Sequence, residues 1–567
     1  MVQRRAGSPA SALVRLLALL FAIALVAAAC GGDDDDDGGA TGGDDDDTTE
    51  TTAEPEDAGA PVPGGEITYG LEAETNGGYC LQEAQLAISG IQVTRTIYDT
   101  LAAPDEAGVI QPFLADSIES NADATEWTIK IPEGIMFHDG TTLDAQLVAD
   151  NLNAYAGKYP ARKPALFIFV FLDVDTITAT DPLTVVVKTK RPWVAFPWFL
   201  WSSSRLGIMG RSQLDADSTG CANNLVGTGP FKLDSWTVNQ ELVASKNENY
   251  WMKDSDGNAL PYLDKITYVP ISEVAQRVNA LESGQIDAMH TSDTEQLAQR
   301  LRPLQDSGDI NILESDKFGE TNYTMLNSSV EPFNNKNARL AVAQAMNTEL
   351  LIEVRGGGIG TPASGPFAEG VEGYLEDSGY PTYDLDKAKE AAAAYEEETG
   401  KPLEFAYTYV TSESGTLTAQ EIQTQMEEAG IKMTLEPAGD QATTINKALA
   451  HDFQAVGWRN HPGADPDTQQ VWWYTGSPVN FGAINDPGLD ALMDAGRSET
   501  DPEARTAIYE DLTRRFASEV WNVWGSWAVW AVASTPNVHG LSGETMSKGA
   551  NFPGLGAGHF VTGVWVS

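Results

Sequence analysis

Past residue 64 the chain alternates strand-like and helix-like patterns, and this alternation constrains the fold more than any other feature. Residues 403–410 predict a strand, residues 419–428 predict a helix that Gly430 ends, and residues 431–435 predict a second strand. Two parallel strands need a crossover such as a helix between them, so these residues are expected to form a βαβ unit. The pattern as a whole predicts an α/β protein.

The residues around Trp127 predict a strand with one buried face. Trp127, Ile129 and Ile131 alternate with polar residues, which is the periodicity of a strand that packs one side on a core. Apolar residues then recur at helical spacing over 143–155, and Thr142 is placed to cap the start of that helix. Strand and helix therefore follow each other closely here as well.

Three apolar stretches are too short to span a membrane as helices. They are residues 16–29, which lie between a basic segment and Cys30, residues 165–172, and the tryptophan-rich residues 520–533. A transmembrane helix needs about 20 apolar residues. The two later stretches are expected in the core, and residues 1–29 are expected to be a signal peptide that is removed on export.

The position of Cys30, directly after three alanines, resembles the lipoprotein signal of bacteria. The resemblance implies that Cys30 becomes the first residue and carries lipid chains that anchor the protein to the outer face of the cell membrane. A soluble secreted protein with a spare cysteine is the alternative. Residues 30–64 contain runs of Asp and Gly and no Lys or Arg, so they are expected to form a disordered tether. A tract that only aids solubility would have the same composition.

The formal net charge of −47 excludes nucleic acid as a partner, because phosphate binding needs clustered Lys and Arg. About 500 residues follow the tether, which is enough for two or three lobes with cores of their own. Besides Cys30 the chain has two cysteines, Cys80 and Cys221. In an oxidising exterior they are expected to form one disulfide.

Signatures of enzymes are absent from the sequence. It has no Gly-x-Ser-x-Gly, His-Glu-x-x-His or phosphate-loop motif and no paired Cys-x-x-Cys sets, and its six histidines are scattered without metal-ligand spacing. No catalytic residue, cofactor or metal site is therefore predicted. A secreted, lipid-anchored hydrolase of envelope or extracellular polymer is kept as the alternative function.

Several short phrases occur in a fixed order between residues 65 and 530. They include Tyr98-Asp99-Thr100-Leu101, Pro112-Phe113-Leu114-Ala115-Asp116-Ser117, Phe137-His138-Asp139-Gly140, Gly227-Thr228-Gly229-Pro230-Phe231, Ala280-Leu281-Glu282-Ser283-Gly284-Gln285-Ile286-Asp287, Gly457-Trp458 and Asp465-Pro466-Asp467. In this order the phrases resemble the extracellular solute-binding proteins of family 5, which are receptors of ABC importers for peptides, nickel complexes and some sugars.

The resemblance implies a two-lobed fold of the periplasmic-binding-protein type, class II, with an extra subdomain inserted in the N-terminal lobe. Lobe I is expected to comprise residues 65–98, 225–318 and 529–567, the inserted subdomain residues 99–224, and lobe II residues 319–528. Such a protein acts as a monomer that closes by hinge bending on a small-molecule solute and delivers it to the transmembrane subunits of an ABC permease. The turn at Phe137–Gly140 and the turn at Gly227–Pro230 are expected to be structural.

The resemblance also places candidate ligand contacts near the Gly457-Trp458 phrase. In peptide-binding relatives an aspartate between this phrase and the Asp-Pro-Asp phrase pairs with the amino terminus of the ligand. Residues 459–464 contain no acid, which disfavours a free peptide amine, because a buried ammonium without a partner is costly. Aromatic and amide side chains suit a peptide-like, sugar-like or other small polar solute. The candidate contacts are Tyr79, Trp458, Asn460, His461, Asp465, Trp472, Trp473 and Asn480, although two of the tryptophans could instead belong to the core.

Overall fold

Two large β-sheets organise the chain in the computed structural model. It describes residues 59–541 and 559–567, apart from residues 76, 85, 106–108, 165–167, 203–204, 316–319 and 461–464. Cys30, the expected signal peptide, most of the expected tether and His461 lie outside the described residues. The described residues belong to one compact unit, Gly59–Ser567.

The first sheet has seven strands, which come from both ends of the chain. In the order in which they lie side by side, the strands are Asn311–Ser315, Trp530–Ser534, Ala288–Thr291, Glu66–Leu71, Lys265–Pro270, Glu241–Lys246 and Phe231–Thr237. The central strand, Glu66–Leu71, runs parallel to both of its neighbours, and the other pairs are antiparallel.

The second sheet has six strands, all from the part of the chain that the first sheet leaves out. Side by side they are Thr361–Pro362, Asn522–Trp527, Thr321–Leu326, Ala455–Asn460, Glu404–Tyr409 and Lys432–Pro437. The chain passes from the first sheet to the second between Ser315 and Thr321 and returns between Trp527 and Trp530. The two sheets are therefore joined by two neighbouring crossings.

A third, four-stranded sheet shares an apolar cluster with the first. Its strands, side by side, are Ser117–Ser120, Glu126–Lys130, Thr184–Thr189 and Val174–Asp181, and all its pairs are antiparallel. Trp127 and Ile129 are buried as their alternation predicted, and they share one continuous apolar cluster with Ile67 and Tyr268 of the first sheet. The other described strands form two short antiparallel pairs. These are Ala102–Pro104 with Ile110–Pro112 and Val538–His539 with Trp565–Val566.

Helices cover the faces of the sheets. The α-helices are Ile88–Ile97, Ala145–Tyr155, Phe196–Phe199, Arg211–Leu214, Ser218–Asn223, Val274–Glu282, Thr294–Gln296, Arg302–Asp306, Lys336–Ala345, Thr348–Gly356, Leu385–Thr399, Glu413–Glu428, Gln441–Leu449, Gln470–Trp473, Pro487–Ser498 and Pro502–Glu519. A π-helical turn, Leu297–Leu301, and a 3₁₀ turn, Pro466–Gln469, are also present. Among the described helices, none combines the length and apolar character needed to cross a membrane.

The predicted βαβ unit is present. Glu404–Tyr409 and Lys432–Pro437 pair in parallel, and Glu413–Glu428 lies between them along the chain. Ser412 caps the helix by accepting a hydrogen bond from the backbone N–H of Gly415, and Gly430 has φ +76°, a left-handed conformation that glycine adopts without strain. The chain can therefore leave the helix sharply and enter the second strand.

The predicted cap at Thr142 is wrong. The helix begins at Ala145, and the carboxylate of Asp144 accepts the hydrogen bond from the backbone N–H of Leu147 at 2.7 Å. The turn at Gly227, in contrast, needs its glycine, because a Cβ there would lie 2.0 Å from the carbonyl oxygen of Ile97. Cys80 and Cys221 have their Cα atoms 4.9 Å apart and their sulfur atoms at bonding distance.

Candidate ligand-binding site

A cavity of about 1480 Å³ lies where the first and second sheets face each other. On the first-sheet side, Glu72, Ser272 and Ser292 line it, each within two residues of the carboxyl end of a strand. On the second-sheet side it is lined by Tyr409 and by residues 457–459. The space beyond the carboxyl ends of parallel strands is where open α/β folds usually bind ligands.

Aromatic side chains form much of the wall. Of the predicted contacts, Trp458 and Trp472 line the cavity, and both pack on Phe481, with ring centroids 5.6 and 5.7 Å from it. Other aromatic residues, which were not among the predicted contacts, also line the cavity. They are Trp198, Phe199, Trp201, Tyr323, Tyr407, Tyr409, Trp524 and Trp527. Flat apolar surfaces of this kind suit a solute whose polar groups are few and well placed.

Two predicted contacts, Trp473 and Asn480, lie outside the cavity lining. The ring of Trp473 packs against Phe516 at 4.6 Å in the core of the second-sheet region. The Asn480 amide both donates to the carbonyl oxygen of Ile484, at 2.8 Å, and accepts from its backbone N–H, at 3.0 Å. Trp473 is therefore a core residue, and the Asn480 amide is used by the protein itself.

Asp465 and Tyr79 also do not line the cavity. Asp465 caps the 3₁₀ turn Pro466–Gln469 and forms an ion pair with Arg505 at 2.8 Å. Tyr79 is buried, with its ring 5.0 Å from that of Trp236. Asn460 ends the strand Ala455–Asn460, and its side chain lies outside the part of the chain that the structure describes.

Arg459 lies in the cavity wall at the centre of a group of residues that we call the cavity-side charge cluster: Glu72, Ser292, Glu320, Arg459 and Trp530. The Arg459 guanidinium is 3.2 Å from Glu72 and 3.6 Å from Glu320, donates to the Ser292 hydroxyl and lies 5.0 Å above the Trp530 ring. Glu72 and Ser292 follow strands of the first sheet, whereas Arg459 lies in a strand of the second. The cluster therefore ties the two sheet regions together.

Burial and ion pairing act in opposite directions on the two carboxylates of this cluster. Burial alone would raise the pKa of Glu72, but Arg459, with help from His290 and Arg277, holds it below its usual range. Burial raises the pKa of Glu320, and the opposing charge of Arg459 does not offset it. Glu72 is therefore the more firmly ionised partner of Arg459.

A second group of residues, away from the cavity, joins the second-sheet region to the four-stranded sheet. This outer charge cluster comprises Asp173, Arg191, Trp193, Asp467, Asp494 and Arg497. The Arg497 guanidinium lies 2.9 Å from Asp467 and 2.8 Å from Asp173, and the Trp193 ring N–H donates to Asp467 at 2.7 Å. Arg191 pairs with Asp173 and with Asp494, each at 2.7 Å. Asp467, Asp494 and Arg497 follow the second-sheet strand Ala455–Asn460 along the chain, whereas Asp173, Arg191 and Trp193 flank strands of the four-stranded sheet.

The acidic and basic groups of the cavity are the part of the site that sequence reasoning missed. Four arginines line it, Arg205, Arg277, Arg355 and Arg459. Five carboxylates line the first-sheet side of the cavity: Glu72, Glu74, Glu273, Asp293 and Glu295. In an acidic chain these residues carry no local signal, because only the fold brings them to one surface. Within the described residues, no group of three or more His, Cys, Asp and Glu side chains could hold a metal ion.

Comparison with known proteins agrees with this geometry. Residues 109–482 match the bacterial extracellular solute-binding proteins, family 5. The chain is 28% identical over 432 residues to the glutathione-binding protein GsiB of Escherichia coli strain K12, a match that covers 74% of this chain and 80% of the relative. The GsiB of Pectobacterium atrosepticum is 26% identical over 433 residues, with the same coverage of both chains.

Solved structures share the whole fold. The binding protein AgaA from A. tumefaciens R10, in complex with agropinic acid, superposes with a TM-score of 0.78 and 26% identity, covering 89% of this chain and 99% of that one. DppA from Helicobacter pylori, in complex with the peptide STSA, has a TM-score of 0.78 at 21% identity and covers 89% and 98%. The matched proteins bind solutes and are not enzymes, which sets aside the hydrolase alternative. The chain therefore belongs to the bacterial extracellular solute-binding proteins of family 5, the substrate-binding proteins of ABC importers.

Proposed function

We propose that this protein is a lipid-anchored receptor that captures a small polar solute in the cavity between its sheets and delivers it to an ABC permease. The observation that carries the proposal is the cavity of about 1480 Å³, lined from both sheets by aromatic and charged side chains. Its size suits a solute of several residues or sugar rings, since ligand sites usually enclose roughly 300–1,000 Å³.

The proposed lobes follow the sheets. Lobe I comprises residues 65–98, 225–318 and 529–567, and every strand of the first sheet lies in these ranges. Lobe II comprises residues 319–528, which hold all six strands of the second sheet. Residues 99–224, with the four-stranded sheet, form the inserted subdomain. The crossing between Trp527 and Trp530 acts as a hinge of the proposed closure.

The chemistry of relatives supports a polar, peptide-like or acidic solute. The compared proteins bind glutathione, agropinic acid and a peptide. Acids that line the cavity, such as Asp293, offer partners for cationic groups that residues 459–464 do not supply. A free amine is therefore compatible with the site through residues that the sequence analysis did not consider.

Native mass spectrometry of protein purified from its own host tests the receptor proposal. We expect a small molecule to co-purify with the wild type, and to be lost when Trp458 and Trp472 are both replaced by Ala. The matched control is Trp236→Phe, which changes an aromatic residue that does not line the cavity. A titration with the identified solute should then raise the melting temperature in a saturable way, without turnover. Protein that neither retains nor is stabilised by any solute would contradict the proposal.

The anchor and the disulfide are tested separately. Metabolic labelling with a fatty acid should label the wild type and leave Cys30→Ala unlabelled, and Cys30→Ala should move to the soluble fraction. Detection of the mature protein with residues 1–29 still attached would refute the anchor.

Peptide mapping without reduction should recover Cys80 and Cys221 in one cross-linked pair, and two free thiols would refute the disulfide.

A further inference from the structure

We propose that the outer charge cluster is a latch through which the inserted subdomain holds lobe II closed on the captured solute. Arg191 and Trp193, on the subdomain side of the latch, are then positioning residues that set how fast the solute leaves. The inference rests on the proposed receptor function and gives the inserted subdomain a part in it.

The inserted subdomain is built into lobe I. Its four-stranded sheet and the first sheet share one continuous apolar cluster. Cys80 of lobe I and Cys221 of the subdomain have their sulfur atoms at bonding distance. Separating these two parts would expose a large apolar surface to water. A motion that opens the cavity therefore carries the subdomain along with lobe I.

Lobe II has apolar clusters of its own. The buried members of these clusters lie between residues 323 and 524, all within lobe II. Val471 of lobe II packs against both its own cluster and that of the first sheet and the subdomain. In the outer charge cluster, by contrast, the contacts between lobe II and the subdomain are ion pairs and hydrogen bonds, whose groups can bind water when the surfaces separate. This boundary is therefore suited to opening.

Three polar contacts of the outer charge cluster cross the boundary between the subdomain and lobe II. Each is 2.7 or 2.8 Å long, and they join Arg191 to Asp494, Asp173 to Arg497, and the Trp193 ring N–H to Asp467. The first residue of each pair belongs to the subdomain and the second to lobe II. Because each contact pairs opposite charges or a donor with a carboxylate, the two surfaces attract each other as the cavity closes.

Trp193 makes two contacts with lobe II. Its ring is fully buried, its N–H donates to Asp467, and the Arg497 guanidinium lies 4.6 Å above the ring. Hydrogen bonds to a charged group and cation–π contacts are strongest where water is excluded. The ion pair between Arg497 and Asp467 lies within lobe II, so it is retained when the latch opens. Trp193 therefore stabilises the closed arrangement more than the partly exposed pair of Arg191 and Asp494 does.

Two residues connect the latch to the cavity wall. On the subdomain side, Phe199 lines the cavity, and its ring lies 4.7 Å from that of Trp193 and 5.4 Å from the Arg497 guanidinium. On the lobe II side, Thr468 lines the cavity and directly follows Asp467 in the chain. A solute that contacts both walls therefore favours the arrangement in which the latch is formed.

The rate of solute release tests the latch. The loss of the co-purified solute after dilution is followed by native mass spectrometry for the wild type, Trp193→Phe and Trp127→Phe. Trp193→Phe removes the N–H that donates to Asp467, and we expect release to become about tenfold faster, as for a lost hydrogen bond to a charged group.

Trp127→Phe is the matched control. Trp127 belongs to the same apolar cluster and does not line the cavity, and its ring N–H has no hydrogen-bond partner among the described residues. This variant should release the solute at the wild-type rate. Equal acceleration in Trp127→Phe and Trp193→Phe would assign the effect to lost packing and overturn the role of the hydrogen bond.

Arg191→Gln is a milder variant. It removes one ion pair across the boundary and leaves Asp173 paired with Arg497. We expect release about 2- to 5-fold faster. Raising ammonium acetate from about 50 to about 500 mM should speed release from the wild type more than from this variant, because salt screens the pair that it lacks. Arg300→Gln, which breaks a similarly exposed pair within lobe I, should change neither the rate nor its salt dependence.

Distances between spin labels test the motion in solute-free protein. In a Cys30→Ala background, labels at Thr176→Cys and Arg514→Cys report on the boundary of the subdomain with lobe II. Labels at Thr176→Cys and Asp306→Cys report on its boundary with lobe I. All three labelled positions are exposed. We expect a short and a long distance for the first pair, with the long one favoured by about 1 M NaCl and by Arg191→Gln, and one constant distance for the second pair.

The latch and the receptor function fail in different ways. Release at the wild-type rate from folded Trp193→Phe or Arg191→Gln, or a single unchanged distance for the first label pair, would overturn the latch and leave the receptor function intact. Protein that carries no solute would overturn the receptor function, and the label distances would still decide whether the subdomain and lobe II separate.

Discussion

The cavity-side charge cluster and the outer charge cluster both link the second-sheet region to the rest of the molecule, yet they differ in their surroundings. Arg459 is 24% exposed and faces the cavity, where water or a solute can compete for it. Asp467 and Arg497 are 0% and 3% exposed and lie away from the cavity. Similar ion pairs can therefore stabilise the fold in one place and form an adjustable contact in another.

The largest expected effect is on the outer cluster. Arg497→Ala removes the cation beside the fully buried Asp467, and we expect it to lower the free energy of unfolding by about 3–5 kcal/mol, because an unpaired buried charge remains. Urea denaturation measures the change. Arg514→Ala, which breaks exposed ion pairs on the helix Pro502–Glu519, is the control and should change stability little. Equal losses in the two variants would remove the distinction between buried and exposed pairs.

A smaller effect is expected on the cavity side. Arg459→Gln should lower the free energy of unfolding by about 2 kcal/mol, because Glu320 can take up a proton and water can reach Glu72. Small-angle scattering should also show a larger radius of gyration, since a contact between the sheets is lost. Arg459→Lys keeps the charge and should restore part of both properties. A loss as large as that of Arg497→Ala would show that the two clusters are equivalent.

Acid should weaken the cavity side first. His290 lies beside this cluster, with its ring 5.9 Å from that of Trp530, and burial lowers its pKa to about 4. The unfolded chain binds this proton near pH 6.5 and the folded one near pH 4, so stability is present above pH 6.5 and is lost as the pH falls. The loss between pH 7 and pH 5 is about 2 kcal/mol.

Denaturation of His290→Gln across this pH range tests the direction in which stability changes with pH. The variant should lack that part of the pH dependence, whereas His451→Gln, which changes an exposed histidine, should keep it. In the outer cluster, burial raises the pKa of Asp467 against the effect of Arg497, so its contribution to stability declines as the pH rises. An unchanged pH slope in His290→Gln would contradict the assignment to this histidine.

The smallest effect separates the cavity wall from a structural turn. Trp458→Ala should weaken binding of the co-purifying solute about tenfold, or about 1.4 kcal/mol, because an aromatic face of the wall is lost. Asp139→Ala should leave the affinity unchanged, because Asp139 is exposed in a turn and bonds to Thr141 and Ser212. Calorimetry measures both affinities, and a larger loss in Asp139→Ala would reverse the assignment.

Local patterns predicted the elements of the fold better than their arrangement. The strand Glu126–Lys130 and the two strands of the βαβ unit were predicted within two residues, because their periodicity lies within a short window. The helix between these two strands begins at Glu413, six residues before its predicted start. The position of Trp530–Ser534 between Ala288–Thr291 and Asn311–Ser315 could not be predicted, since the pairing joins residues far apart in the chain.

The candidate site was predicted in part for a similar reason. Trp472 lines the cavity while Trp473 faces the core, because consecutive residues on the helix Gln470–Trp473 point about 100° apart and the sequence alone does not fix the rotation. The ion pair between Arg459 and Glu72 was missed because neither residue belongs to a motif, and only the folded arrangement brings the two side chains together.

The location of Trp530–Ser534 has a consequence for how the protein is made. This strand is interior to the first sheet, hydrogen-bonded on both sides, although it comes from the last part of the chain to leave the ribosome. A product terminated before it would keep two open strand edges on Ala288–Thr291 and Asn311–Ser315, and such edges recruit strands from other molecules. The first sheet can therefore be completed only after Trp530–Ser534 has been synthesised, later than every other strand of that sheet.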